Sequence, residues 1–264
     1  MAEPVSDLIL KSTVKRTLPG LVFCLVPPGG RFSGFIVEHR NRYFIVTAGH
    51  AMAQAKDRLK STLVATFGQP LTSKPLRFLR AFSTSDPVDE GDSDPEDIGI
   101  IEIDRAEVDH LKVQPFESFR LRSNLLSTPL ASLIILGAPK ADDVTVGRES
   151  NAIMSTLTAL ATVVTEDDPS RFALRHDYDP SRDIFAEFKL SALRSIDQTG
   201  GSPKLDGMSG GPVIAIPALE SGRLWTLEDF EIAGLQSSVL TKRGLVRVKR
   251  SENILAFIEQ VGCR

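Results

Sequence analysis

Gly207-Met208-Ser209-Gly210-Gly211-Pro212, running directly into Val213-Ile214-Ala215-Ile216, is the most informative stretch of the 264-residue chain. A serine set among glycines can be presented on a sharp turn, and the apolar, β-branched run behind it reads as a strand. The same residues also fit G-x-S-x-G, an elbow in which a helix follows the serine and the histidine comes later in the chain. Neither condition is met. The histidines are His39, His50, His110 and His176, and all precede Ser209. An order with an aspartate before the histidine leaves only Asp7 ahead of His50, in the first few residues and without supporting context. What remains is a histidine, then an aspartate, then the serine.

Working outward, two more patterns stand in that order. Thr47-Ala48-Gly49-His50 follows the apolar run 43–47, and Asp97-Ile98-Gly99-Ile100 opens the apolar run 98–103. A serine hydroxyl is a poor nucleophile until a base takes its proton. An imidazole is neutral yet basic near pH 7, and a carboxylate can fix its tautomer and steady its charged form. The oxygen that becomes negative during acyl transfer needs donors already aimed at it, and here these are the N–H groups of Gly207 and Ser209. Each piece has a plain structural reading as well: a turn serine, a packing histidine, a solvated acid. Their joint, ordered occurrence favours the chemical one.

These boxes resemble those of chymotrypsin/trypsin-fold serine peptidases, in the style of bacterial trypsin-like and Deg-type domains. Thr47–His50 is similar to the family's TAAH/TAGH box and Asp97–Ile100 to its D-[IL]-[AG]-[LI] strand. Residues 207–212 are similar to G-[DN]-S-G-G-P except at Met208. The resemblance spans about residues 20–260. It implies an all-β fold of two six-stranded antiparallel β-barrels with a C-terminal helix and a site in the cleft between the barrels. His50 would be the base, Asp97 its orienting acid and Ser209 the nucleophile of a serine endopeptidase. The implied division is an N-terminal extension (1–20), a first barrel (21–113), a connection (114–130), a second barrel (131–250) and a terminal helix (251–264).

On the same resemblance, residues 231–239 form the strand lining the specificity pocket. Gln236, Ser237 and Ser238 are then substrate-binding candidates, with Ser237 also supporting Asp97. Pro203 falls at the pocket base, where a lysine- or arginine-cleaving relative carries an aspartate, so a neutral, small or apolar pocket is expected. Met208 replaces the acid that digestive relatives pair with a freshly cut N-terminus. That salt bridge is therefore not expected, and the donors must be held by other packing or form on binding.

The rest of the chain agrees with a β-rich fold. Strand-like runs occur at 21–26, 32–38, 43–47, 63–67, 76–82, 98–103, 133–137, 157–165, 184–190, 212–216, 231–239 and 245–249, with a polar hairpin tip at 39–42. Residues 114–128 read as a connection. Ile254, Phe257, Ile258 and Val261 share one face of a C-terminal helix. Lys+Arg is 31 against Asp+Glu 34, a net charge of −3, which gives no basic excess for nucleic acid. No run reaches the roughly 18 apolar residues of a membrane span, and the N-terminus lacks the pattern of a signal peptide. With two cysteines, Cys24 (a core position) and Cys263, a reducing, cytoplasmic setting is expected. Residues 86–97 are acidic and read as a solvated loop; a calcium site without the EF-hand pattern and attraction of basic substrates are the other readings. No cofactor or metal is expected. The partners expected are a protein or peptide substrate and a regulatory companion protein, with no nucleic acid and no membrane. Two alternatives stay open: a silent peptidase-like module that binds peptides or a partner, and a protease acting only on itself or one partner.

Overall fold

The computed structural model describes residues 12–13, 15–26, 30–66, 75–85, 96–121, 130–137, 158–164, 179, 181–187, 193–195, 207–217, 230–240 and 245–263. The described residues build two β-sheets and a C-terminal helix. The first sheet runs in the order β4-β1-β2-β3-β6-β5. Its members are β1 (Leu21–Val26), β2 (Gly30–His39), β3 (Arg42–Ala48), β4 (Leu63–Thr66), β5 (Arg80–Ser83) and β6 (Ile98–Ile103). A two-residue strand, β7 (Phe116–Glu117), adds to β2 in parallel. The second sheet contains β8 (Leu130–Gly137), β9 (Thr158–Val164), β10 (Asp183–Glu187), β11 (Leu193–Ser195), β12 (Pro212–Pro217), β13 (Glu231–Leu240) and β14 (Leu245–Arg250). Its order is β10-β14-β13-β12-β8-β9-β11.

The strand pairings match the expected pair of closed six-stranded barrels only in part. Each sheet has seven strands, because β7 and β11 add to β2 and β9. Among the described residues β4 and β5, the outer strands of the first sheet, are not paired with each other. In the second sheet β10 also pairs with β9, at Ala186 with Val164 and Glu187 with Val163, so the strand path turns back on itself.

Local chemistry explains most of the elements. Arg40 and Asn41 both adopt positive φ, 51° and 59°, the backbone a two-residue hairpin between twisted strands requires. They join β2 to β3 with His39 opposite Arg42. Strand β6, Ile-Gly-Ile-Ile-Glu-Ile, lies between β3 and β5 and is buried along its whole length. Helices α1 (Gly49–Ala55), α2 (Arg105–Leu111) and α3 (Ser251–Gly262) are among the described elements. Helix α2 was not expected, although its signal stands in the sequence. Asp104 accepts the Glu107 N–H at 2.7 Å, with an acid three residues after the cap, and Lys112 ends the helix at φ 52°. In α3, Ile254, Ile258 and Val261 are buried and Phe257 is partly so.

The larger apolar core joins both sheets. Phe35, Ile36, Ile45 and Ile101 of the first sheet pack in one cluster with Ile134, Ile214, Ile216, Ile232 and Leu235 of the second, and with Ile254 and Ile258 of α3. A smaller cluster within the second sheet holds Leu133, Ile135, Met208, Val213, Val246 and Val248. No described helix is long and apolar enough to cross a membrane.

Two buried carboxylates within the sheets are paired with bases. Arg247 grips Asp183 with two bonds of 3.0 and 2.8 Å, and Lys249 reaches it at 2.8 Å. Glu102, on β6, takes Arg42 and Arg80 from the two flanking strands, each at 2.8 Å. The bond from Arg42 holds the Glu102 carboxyl below the usual carboxylate range. A depressed folded-state pKa stabilises above the unfolded value, and the gain is lost as pH falls through the folded one. Glu102→Gln is therefore expected to cost about 1–3 kcal/mol near pH 7. The gap between variant and parent should narrow once pH drops below about 4. Urea denaturation of both proteins at pH 7 and pH 3.5 checks this, and a gap of equal size at both would contradict it.

Candidate active site

Asp97 sits at the bend that leads into β6, with φ 43°, a left-handed backbone that Asp adopts more readily than most residues. Its carboxylate is 1 % exposed, and four donors face it. The His50 backbone N–H reaches Oδ1 at 2.8 Å, and the His50 ring Nδ1 lies 3.0 Å from Oδ1 and 3.1 Å from Oδ2. Ser85 Oγ donates to Oδ1 at 3.4 Å, and Ser237 Oγ makes a short hydrogen bond to Oδ2. Because a carboxylate can only accept, Nδ1 of His50 carries the proton, and Nε2 is the basic nitrogen of the neutral ring.

The local fold explains this convergence. His50 lies in the first turn of α1, whose leading N–H groups lack partners within the helix, and no side chain of Ala48 can cap it. Asp97 supplies the missing acceptor. The approach is close: a Cβ on Gly49 would stand 2.4 Å from Ser85 Oγ and 2.9 Å from the Ile98 nitrogen, so glycine is what lets α1 begin there. Ser237 arrives from the other sheet. It is the extra residue of a bulge, since Gln236 faces Val248 while Ser238 faces Arg247, and a bulge re-aims the side chain it carries.

The serine stretch lies across the first sheet. Ser33 N–H donates to the Ser209 carbonyl at 3.1 Å, and Ser33 Oγ to the Gly207 carbonyl at 2.8 Å. Gly210 N–H donates to the Gln236 carbonyl at 2.8 Å, while Gln236 N–H donates to the Gly211 carbonyl at 2.9 Å. Gly210 has φ 89°, and a Cβ there would come within 2.2 Å of Thr47 Oγ1 and 2.8 Å of the Ala48 nitrogen. Ser209 is thus next to a residue seated on the backbone two positions before His50. Among the described residues Ser209 Oγ itself makes no hydrogen bond. Met208 is 1 % exposed and packs in the second-sheet core, which anchors the loop by apolar contact where the resemblance led us to look for an acid.

The remaining sequence candidates divide. Gln236 is buried, and its side-chain oxygen has no hydrogen-bond partner. Ser237 turns its hydroxyl to Asp97, and Ser238 is half-buried. Pro203 and most of the acidic stretch lie outside the described residues. Sequence reasoning did not find Ser33 or Ser85, and it met Thr47 only as the first residue of the histidine box. Ser85 ends a run of three hydroxyl residues, 83–85, which was the one available signal. Among the described residues no group of side chains could hold a metal ion. Cys24 is fully buried, and burial pushes its thiol far above the usual range, which leaves it unreactive.

The N–H groups of Gly207 and Ser209 are the donors that the sequence suggested for an oxyanion. Those two amides make no hydrogen bond among the described residues. Seating of the loop depends on the missing side chain of Gly210. Gly210→Ala is expected to destabilise the protein by more than about 2 kcal/mol, through overpacking against Thr47 and Ser33 together with left-handed strain. Chemical denaturation checks this; parental stability would mean that the loop does not rest on the first sheet.

No protein-family model matches the chain, and no curated protein matches it. Among solved structures the chain is similar to the serine endoprotease from Yersinia pestis, with 16% sequence identity and a TM-score of 0.51. The match covers 98% of this chain and 67% of that one. At this identity the likeness speaks for the fold, and the fold is a protease-like one.

Proposed function

We propose that the protein is a serine endopeptidase, with His50, Asp97 and Ser209 as its triad. The observation that carries the reading is the Asp97 carboxylate, bonded at once to the His50 ring and to Ser237 beside a serine loop seated on Thr47 and Ala48. Ser209 Oγ attacks the scissile carbonyl, and the Ser209 proton passes to His50 Nε2 as the new C–O bond forms. The N–H groups of Gly207 and Ser209 receive the resulting oxyanion. His50 then returns the proton to the departing amine as the C–N bond breaks. Water repeats the sequence on the acyl-enzyme and frees Ser209. Asp97 keeps the imidazole in the tautomer that exposes Nε2 and stabilises the imidazolium. The two sheets correspond in this reading to the two barrels of the chymotrypsin/trypsin fold, and the substrate is a peptide lying along β13.

A second reading draws on the absence of a hydrogen bond at Ser209 Oγ among the described residues. It makes the chain a silent, peptide-binding module. Catalytic hydrogen bonds are often long without substrate, which favours the first.

A fluorophosphonate probe separates the two. Ser209 Oγ should displace fluoride from phosphorus, and Ser209→Ala should abolish labelling. The rate should rise with pH as the imidazole loses its proton. Asp97→Asn should slow it by about 10³–10⁴-fold. Folded parent protein that takes up no probe at any pH between 5 and 9 would leave the binding module as the better account.

A further inference from the structure

We propose that Ser33 is a positioning residue that holds the oxyanion-binding loop in its working form from the opposite sheet. The inference rests on reading Ser209 as the nucleophile. A trans peptide points its C=O and N–H in opposite directions, so fixing one fixes the other. The 209–210 peptide is held at both ends: its carbonyl accepts from Ser33 N–H at 3.1 Å and its N–H donates to the Gln236 carbonyl at 2.8 Å. The 208–209 peptide is held by Gly211 N–H, which reaches the Met208 carbonyl at 3.0 Å, and this turns the Ser209 N–H the other way. The 207–208 peptide is held by one bond among the described residues, from Ser33 Oγ to the Gly207 carbonyl at 2.8 Å.

That last peptide lies between the two whose N–H groups serve as donors. Its orientation sets the angle at which the Gly207 and Ser209 amides converge. Gly207, at φ 88°, offers little resistance of its own, since glycine tolerates several backbone states. Ser33 is well placed for the task. It is 2 % exposed, and its carbonyl accepts Thr47 Oγ1 at 2.7 Å. A continuous line of hydrogen bonds therefore runs from Thr47, three residues before the base, through Ser33 to the loop of the nucleophile. The oxyanion site is held formed at rest by a neutral hydroxyl.

The test uses the full chain and a fluorophosphonate whose phosphoryl oxygen occupies the oxyanion site. Ser33→Ala is expected to lower the limiting rate of labelling about tenfold, as for one lost positioning hydrogen bond. Its half-saturating probe concentration should stay within about twofold, and the midpoint of its pH profile should not move, because the base is untouched. Ser33→Thr, which restores a hydroxyl, should recover most of the rate. A parental limiting rate in Ser33→Ala overturns the proposal, as does an equal loss in the Ala and Thr variants. If Ser33→Ala does not fold, Thr47→Val decides: a severalfold fall in limiting rate supports the line of bonds, and an unchanged rate overturns it. Failure of the folded parent to label overturns the peptidase reading itself, a result distinct from a parent that labels and a Ser33→Ala that labels equally fast.

Discussion

An ionised carboxylate taken out of water costs several kcal/mol unless donors replace its hydration. Asp97, with its carboxylate 1 % exposed, meets that requirement with donors from three places in the chain: the backbone and ring of His50 at the start of α1, Ser85 just beyond β5, and Ser237 on β13 of the other sheet. Each donor is satisfied by the same group, so none can move without exposing a buried charge. Asp97 is thereby a cap for α1, an orienting partner for the imidazole and a polar joint between the sheets.

The joint lies on an apolar seam. Residues of both sheets and of α3 share one cluster, and Phe116 links them further, edge-on to Phe35 at 6.2 Å and to Phe230 at 6.3 Å. Apolar burial supplies the association, but it is indifferent to small slides and rotations. The hydrogen bonds of Asp97, Ser33 and Gln236 supply the register. A site that needs its groups placed to within a fraction of an ångström depends on both.

Much of the fold could be read from short apolar runs between turn residues. Strands β1 and β6 have the bounds their sequence runs gave, and the hairpin at Arg40-Asn41 announced itself by its polar tip. Strand count and closure could not be read that way. A two-residue strand such as β7 has no periodicity, and the meeting of β9 with β10 depends on how far a sheet curls. At the site, chain order singled out His50, Asp97 and Ser209 because their chemistry is uncommon. Ser33 and Ser85 were invisible for the converse reason: hydroxyl residues are abundant, and their importance comes from partners distant in sequence, 174 positions in the case of Ser33 and Gly207.

The manner in which the serine loop is held bears on how the site responds to its surroundings. A loop fixed by an ion pair loosens when either partner titrates or when salt screens the pair. Here one side of the loop is fixed by the buried thioether of Met208 and the other by the hydroxyl of Ser33. Neither group changes charge across the range in which an imidazole does. The position of the donors is therefore decoupled from the protonation of the base. On the proposed reading of His50 as the base, the loop restraints stay constant with pH while the imidazole gains or loses its proton, so a change of pH would alter the base without dismantling the donors.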